Sequence, residues 1–114
     1  MITGIHHFAI IVSSKKSVLF YEKLGFVVTF RKERDYDAVV VMEGYGIEIE
    51  VFIDPNHPIR SNPEPFGLRH LAFQVESFEQ IRKEFVCGPV MKDWIGRSYC
   101  FAVDPDGNVI EFHE

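Results

Sequence analysis

Two histidines lie inside apolar runs that read as β-strands. Written one above the other, "IHHFAIIV" at 5–12 and "LRHLAFQV" at 68–75 bring His7 opposite His70. A core strand tolerates an imidazole when both ring nitrogens find partners, so a single case would signify little. Recurrence at the same place in two similar segments favours a shared chemical role.

Two glutamates repeat in the same way. Aligned on the glycine, "GIEIEVF" at 46–52 and "GNVIEFH" at 107–113 bring Glu50 opposite Glu111. A carboxylate in an apolar strand is costly unless it is paired, protonated or bound to a metal. Two imidazoles and two carboxylates suit one divalent ion such as Ni, Zn, Co or Mn. The pattern therefore predicts a metal site to which each half contributes one histidine and one glutamate.

Neighbouring residues offer alternatives to this ligand set. Glu48 lies two residues before Glu50 on the same strand face, and "GYGIE" also fits the glycine spacing. Glu50 is preferred because "IEVF" matches "IEFH" better. Strand alternation predicts that His6 faces away from His7, so that this adjacent pair is not a bidentate clamp. His113, two residues after Glu111, is either a further inward-facing group or, as we expect, a residue that reaches solvent at the C-terminus.

The same order of elements follows each histidine segment. After the first, "SSKKSVLFYEKLG" has serines that can cap a helix and a glycine that can end it. After the second, Ser77 and Gln80 form an S-x-x-Q capping box. Three strands then follow in each half, at about 26–31, 37–42 and 46–53 and at about 88–92, 97–103 and 108–113. Both halves read as βαβββ.

The repeat predicts the fold class and the domain organisation. Residues 1–114 are expected to form a single domain, with module 1 at about 1–55, a proline-rich linker at about 54–67 and module 2 at about 67–114. A four-stranded sheet with one helix leaves one face open, so the modules are expected to pair. The prediction is an α+β fold in which two βαβββ modules pair into a curved mixed sheet around a concave metal-binding cleft.

Composition narrows the range of partners. The 114 residues suit one compact domain. The net charge is −5 and the chain has no dense cluster of lysines and arginines, so nucleic acid is not expected as a partner. No apolar stretch approaches a membrane span. Cys87 and Cys100 lack metal-type spacing and are read as reduced thiols of a cytoplasmic protein, although a disulfide is not ruled out. A second chain is expected to cover the remaining exposed surface, which predicts a homodimer.

Four motifs of the sequence resemble those of a known family. "GIHHFAI", "FYEKLGF", "GLRHLAF" and "DPDGNVIEF" are similar to segments of the vicinal oxygen chelate superfamily, which includes glyoxalase I, fosfomycin-resistance enzymes, extradiol dioxygenases and bleomycin-resistance proteins. The resemblance covers essentially the whole chain and is closest to the lactoylglutathione-lyase-like branch. It implies four metal ligands, at His7, Glu50, His70 and Glu111. Two histidines with two glutamates is the pattern of glyoxalase I.

The resemblance implies a metal-dependent lyase or isomerase of the glyoxalase I type. Its substrate would be a small α-oxo or enolisable molecule such as a hemithioacetal, which reacts through a metal-chelated enediolate. Either Glu50 or Glu111 would act as the base, and the sequence does not choose between them. Family geometry suggests that Tyr99 and Phe101 face the substrate, and strand alternation adds Arg97.

Two other function classes remain open. Thiol transfer to an epoxide antibiotic or ring-cleaving oxygenation would need only one glutamate, so Glu50 would be dispensable for metal binding. A non-catalytic protein that sequesters an aromatic drug would bind no metal. The sequence is equally compatible with a metal site within one chain and with a metal site between two chains.

Overall fold

The computed structural model describes residues 1–114, which divide into two compact units, Met1–Pro58 and Ile59–Glu114. The division falls within the predicted linker. The first unit contains β1 (Phe8–Val12), α1 (Lys15–Leu24), β2 (Val27–Glu33), β3 (Ala38–Gly44) and β4 (Ile47–Ile53). The second contains β5 (Leu71–Gln74), α2 (Phe78–Glu84), β6 (Met91–Lys92), β7 (Ser98–Val103) and β8 (Val109–His113). The α+β class and the two βαβββ modules are confirmed.

The strands of each unit form a mixed four-stranded sheet with the same topology. The order is β1-β4-β3-β2 in the first unit and β5-β8-β7-β6 in the second. In both sheets the first strand pairs in parallel with the last strand, and the remaining pairs are antiparallel. This parallel pairing is what brings the segment with a histidine beside the strand with a glutamate.

Apolar side chains on alternate positions of the central strands form the core of each unit. In the first unit Met42, Ile49 and Val51 are completely buried, together with Tyr21 of α1. In the second unit the completely buried residues include Cys100, Ile110 and Phe112. Because side chains alternate along a strand, the residues between these positions project from the opposite face, where the glutamates lie.

The helices begin and end where the local sequence predicts. The side chain of Ser14 accepts a hydrogen bond from the backbone N–H of Lys16, and that of Ser77 accepts one from Gln80. Gly25 ends α1 in the left-handed region at φ 115°. A side chain at Gly25 would collide with Tyr45, whose hydroxyl donates to the carbonyl of Leu24. Neither helix is long and apolar enough to cross a membrane.

The strands that follow the two histidines begin later than predicted. Pairing of β1 with β4 starts at Phe8, and pairing of β5 with β8 starts at Leu71. His7 and His70 therefore each lie one residue before a strand, so the interpretation of a histidine inside a strand is wrong. Strand β6 is also shorter than the predicted 88–92, since Pro89 has no backbone N–H to donate to a ladder.

Candidate metal centre

The first unit brings one predicted histidine and one predicted glutamate together. His7 precedes β1, and Glu50 lies in β4 opposite Ala9. His7 Nε2 is 3.4 Å from Glu50 Oε2, and the two side chains are 36% and 25% exposed. Ala9, which pairs with Glu50, has only a methyl group and so takes up little room beside this carboxylate.

The second unit repeats the arrangement. His70 precedes β5, and Glu111 lies in β8 opposite Ala72. His70 Nε2 is 3.8 Å from Glu111 Oε2, and both side chains are partly buried. The ring of Phe101 meets the imidazole of His70 edge to face, with the centroids 5.5 Å apart. The same two residue types thus meet in both units through the same strand pairing.

The separation of the donor atoms fits shared coordination within each pair. First-row divalent ions bind imidazole nitrogen and carboxylate oxygen at about 2.0–2.2 Å, so two neighbouring donors on one ion lie about 3–3.5 Å apart. The His7–Glu50 distance of 3.4 Å falls in this range, and the His70–Glu111 distance of 3.8 Å needs only a small movement. One pair supplies only two ligands. A structural or catalytic ion of this kind takes at least three ligands from protein, so one pair alone does not complete a metal site.

His6 occupies a position that strand alternation predicts wrongly. Its Nδ1 lies 2.8 Å from Nδ1 of His7, so the expectation that His6 faces away from His7 is wrong. The reason is that both residues precede β1, where the backbone does not alternate as a strand does. Nδ1 of His7 thus faces His6, and Nε2 of His7 faces Glu50. In metal-bound histidines, a hydrogen bond to the nitrogen that does not bind the metal fixes the orientation of the ring. The contact with His6 has the same effect on the His7 imidazole.

The two candidate carboxylates of the first unit have different partners. Glu48 Oε2 lies 3.7 Å from His6 Nδ1, whereas Glu50 approaches His7. His6, His7 and Glu48 also form a group whose donor atoms lie within 4.8 Å of one another. His6 is 85% exposed, however, and the second unit has no histidine at the equivalent position, which is Arg69. Only the pairing of Glu50 with His7 has a counterpart in the second unit.

The three predicted substrate residues have different surroundings. Phe101 lines a cavity of about 420 Å3 that His70 also lines. Tyr99 lies on the same strand, and its ring is 5.5 Å from that of Phe101. Arg97 lies in the turn before β7, where its backbone N–H donates to Asp93 Oδ1 at 2.8 Å, and the residue is exposed. The structure thus brings Phe101 beside His70 and Tyr99 beside Phe101, and it leaves Arg97 before the strand.

His113 is held by an interaction that sequence reasoning missed. Its Nε2 lies 3.2 Å from Asp93 Oδ2, and its ring stacks on that of Tyr99. The carbonyl of Glu114 raises the pKa of His113, and Asp93 acts in the same direction. Burial opposes ionisation of Asp93, but the backbone N–H groups of Arg97 and Ile95 and the His113 imidazole outweigh it and lower the pKa of Asp93. The His113 side chain does reach solvent, at 26% exposed, but Asp93 and Tyr99 also hold it in place.

A second cavity, of about 350 Å3, lies on the face of the first unit that carries Ala9. Asp54 and His57 lie at its edge, and His57 Nε2 is 3.0 Å from Asp54 Oδ2. Asp37 also lines it and accepts two hydrogen bonds from the guanidinium of Arg34, at 2.5 and 2.6 Å. All three polar side chains at this cavity, Asp37, Asp54 and His57, thus already have a partner within the unit.

Comparison with known proteins identifies the family. The family model of the Glyoxalase/Bleomycin resistance protein/Dioxygenase superfamily matches residues 4–112. The uncharacterized protein YwkD of Bacillus subtilis is 39% identical over 127 aligned positions, which cover 100% of this chain and 98% of YwkD. A glyoxalase family protein from Enterococcus faecalis, known from its crystal structure, is 36% identical with a TM-score of 0.87, and the match covers 97% of each chain.

A more distant structure shares only the fold. It is a mutant of FosX, a fosfomycin resistance protein from Listeria monocytogenes, complexed with Mn(II). This chain is 17% identical to it, with a TM-score of 0.75, and the match covers 99% of this chain and 93% of FosX. The chain belongs to the glyoxalase, bleomycin resistance and dioxygenase superfamily, as the resemblance of its motifs predicted.

Proposed function

We propose that this protein is a metal-dependent lyase or isomerase of the glyoxalase I type, acting on a small α-oxo or enolisable substrate. The observation that carries the proposal is the recurrence of one contact, between a histidine before the first strand and a glutamate in the last strand, in both units. His7, Glu50, His70 and Glu111 together are the proposed ligands of one divalent ion, which is Ni, Zn, Co or Mn.

The number of glutamates favours this activity over the others known for the superfamily. The resemblance implies two histidines and two glutamates for glyoxalase I, and one glutamate fewer for fosfomycin enzymes and dioxygenases. Both units of this chain contribute a glutamate beside a histidine. FosX, which shares the fold, binds Mn(II), and this supports a divalent ion as the cofactor.

The protein residues have separate tasks in the proposed reaction. A divalent ion, when bound, supplies Lewis acidity that stabilises the negative charge left on substrate oxygens as a proton departs. Glu50 or Glu111 takes that proton from one carbon and returns it to the neighbouring carbon. Phe101 and Tyr99 provide an apolar wall that excludes water from the reacting carbon, and Arg97 is the proposed contact for a charged end of the substrate.

We also propose that the protein is a cytoplasmic homodimer. Strand β2 is an edge strand in its sheet, and all seven of its residues are exposed. Its exposed side chains include Val27, Val28 and Phe30, and a row of apolar side chains on a free edge is a surface for another chain. Light scattering should give twice the chain mass for the wild type and the chain mass for Phe30→Glu. A wild type that is monomeric at high concentration would exclude the dimer.

Elemental analysis of the purified protein tests the metal centre. We expect about one divalent ion per chain in the wild type, and loss of that ion in His7→Ala and in Glu50→Gln. Glu48→Gln is the matched control, because it removes an equivalent carboxylate two residues away and should retain the ion. Thermal unfolding of each variant establishes that loss of metal does not reflect loss of fold.

Other results would favour the other activities. An ion retained by Glu50→Gln would point to thiol transfer or ring-cleaving oxygenation, for which one glutamate suffices. A wild type that takes up no ion even after loading would point to a drug-binding protein without catalysis. Turnover of a hemithioacetal by the loaded wild type, and none by His7→Ala, would support the lyase.

A further inference from the structure

We propose that the cavity beside His70 contains an oxyanion-binding subsite centred on Arg60. The subsite would bind a carboxylate or phosphate group of a small molecule. Its role as a substrate subsite rests on the proposed function, but the binding itself does not depend on a metal ion. Arg60 belongs to the proline-rich segment before β5, which sequence reasoning treated only as a linker.

The guanidinium of Arg60 is held in place by the backbone. Its Nη2 donates to the carbonyl of Leu68 at 2.8 Å and more weakly to that of Arg69 at 3.4 Å. Its Nε is buried and has no hydrogen-bond acceptor. A buried N–H without an acceptor is destabilising, so the site favours a ligand that can accept this hydrogen bond. An oxyanion accepts it best, because hydrogen bonds between two charged groups are the strong ones.

The charged groups that line the cavity are two arginines and one glutamate. Arg69 and Glu64 also line the cavity, and Arg69 Nε donates to Glu64 Oε1 at 2.5 Å. The backbone N–H of Glu64 itself, and then Arg69, lower the pKa of Glu64, so this carboxylate is ionised and neutralises Arg69. Arg60 forms no ion pair, although its charge also lowers the pKa of Glu64, and two arginines with one glutamate leave the lining with a net positive charge. Ser61 and Asn62 add polar groups to the same wall.

The rest of the cavity defines the class of molecule that fits. Phe101, Val103 and Val109 provide an apolar wall, and His70 lies at another edge. The cavity volume is about 420 Å3. Ligand cavities usually range from about 300 to 1,000 Å3, so a volume near the lower end favours a small ligand. The proposed substrate is a small acid that carries its α-oxo or enolisable group toward His70 and its oxyanion toward Arg60, which lines this cavity whereas Arg97 does not.

The resonance of the Arg60 side-chain Nε–H tests the subsite directly. Metal-free protein labelled with 15N is titrated with inorganic phosphate and, separately, with acetate, at an ionic strength kept constant with chloride. We expect a saturable shift of the Arg60 Nε–H resonance with a Kd in the millimolar range. The anion that binds more tightly identifies the natural oxyanion as phosphate or carboxylate. Because the readout is a group of the wild type, it does not require a variant to fold.

Two variants separate this site from general electrostatics. Arg60→Lys keeps the positive charge but removes the Nε–H, and it should weaken binding of the preferred anion by about tenfold or more. Arg82→Lys, on the exposed face of α2 in the same unit, is the control and should leave Kd unchanged. The proposal is overturned if chloride shifts the Arg60 resonance equally, if neither anion gives saturation, or if Arg60→Lys binds as the wild type does.

The metal centre and the subsite can fail separately. Arg60→Lys should contain as much metal as the wild type, because Arg60 is not among the proposed ligands. Anion binding by metal-free protein in the absence of any metal uptake would retain the subsite and refute the lyase. Metal uptake with no anion binding would refute the subsite and leave the proposed lyase standing.

Discussion

Ala72 lies directly opposite Glu111 in the parallel pairing of β5 and β8, two residues after His70. Paired residues of neighbouring strands project from the same face of a sheet, so the smallest side chain with a Cβ is next to the carboxylate. Ala9 and Glu50 repeat this relationship in the first unit. Each alanine therefore takes up little room beside its glutamate.

Replacing this alanine should impair metal binding without unfolding the protein. Ala72→Leu places a larger side chain beside Glu111, so we expect the metal content to fall to less than half that of the wild type. Ala72 is exposed, so the melting temperature should change by only a few degrees. Gln74→Leu, on the same face two residues further, is the control. Full metal content in Ala72→Leu would mean that this space is not part of the site.

Shortening each glutamate should identify the base. Glu50→Asp and Glu111→Asp keep a carboxylate that can bind metal but move it by about one methylene, and a misplaced base loses about 100-fold in kcat. We expect this loss in one variant and a smaller one in the other, at equal metal content. The measurement is turnover of a hemithioacetal in D2O, with deuterium incorporation as the sign of proton exchange. Equal turnover of both variants and the wild type would exclude either glutamate as the base.

The Arg34–Asp37 pair should make the stability of the first unit depend on pH. The bidentate hydrogen bonds from Arg34 lower the pKa of Asp37, whose side chain is 7% exposed. A carboxyl with a lowered folded pKa stabilises the protein above its unfolded pKa of about 3.9, and this contribution disappears as the pH falls through the folded pKa. Asp37→Asn should therefore lower the free energy of unfolding at neutral pH and have progressively less effect in acid.

Chemical denaturation at a series of pH values measures this difference. Asp35→Asn is the control, because Asp35 is an exposed aspartate of the same turn. A difference between Asp37→Asn and the wild type that stays constant from neutral to acid pH would contradict the assigned pKa shift.

The two cysteines should react differently with alkylating reagents. Burial raises the pKa of Cys100 to about 11, and the neighbouring Cys87 thiol adds to the shift. Alkylation requires the thiolate, so Cys100 should not react at pH 8 in the folded protein. In Cys87→Ser we expect no labelling by iodoacetamide under native conditions and complete labelling in denaturant. Rapid native labelling of Cys100 would show that β7 opens easily.

Local sequence patterns predicted much of this fold. The capping serines, Gly25 and the alternating apolar strands are local features, so they predicted both helices and the βαβββ order from short stretches of chain. The recurrence of His7 and Glu50 as His70 and Glu111 was visible for the same reason, since each segment carries its own signature. The structure then brought each histidine to within 4 Å of its glutamate.

Other features depend on contacts between distant residues, and only the tertiary structure decided them. Strand β1 begins where its pairing with β4 begins, at Phe8. This pairing, and not the local sequence, therefore leaves His7 outside β1, where it lies next to His6. Arg60 lines a cavity, and the carbonyl of Leu68, eight residues further along the chain, holds its guanidinium there. A linear pattern records residue types and periodicity, whereas the free energy of a side chain depends on the neighbours that folding brings to it.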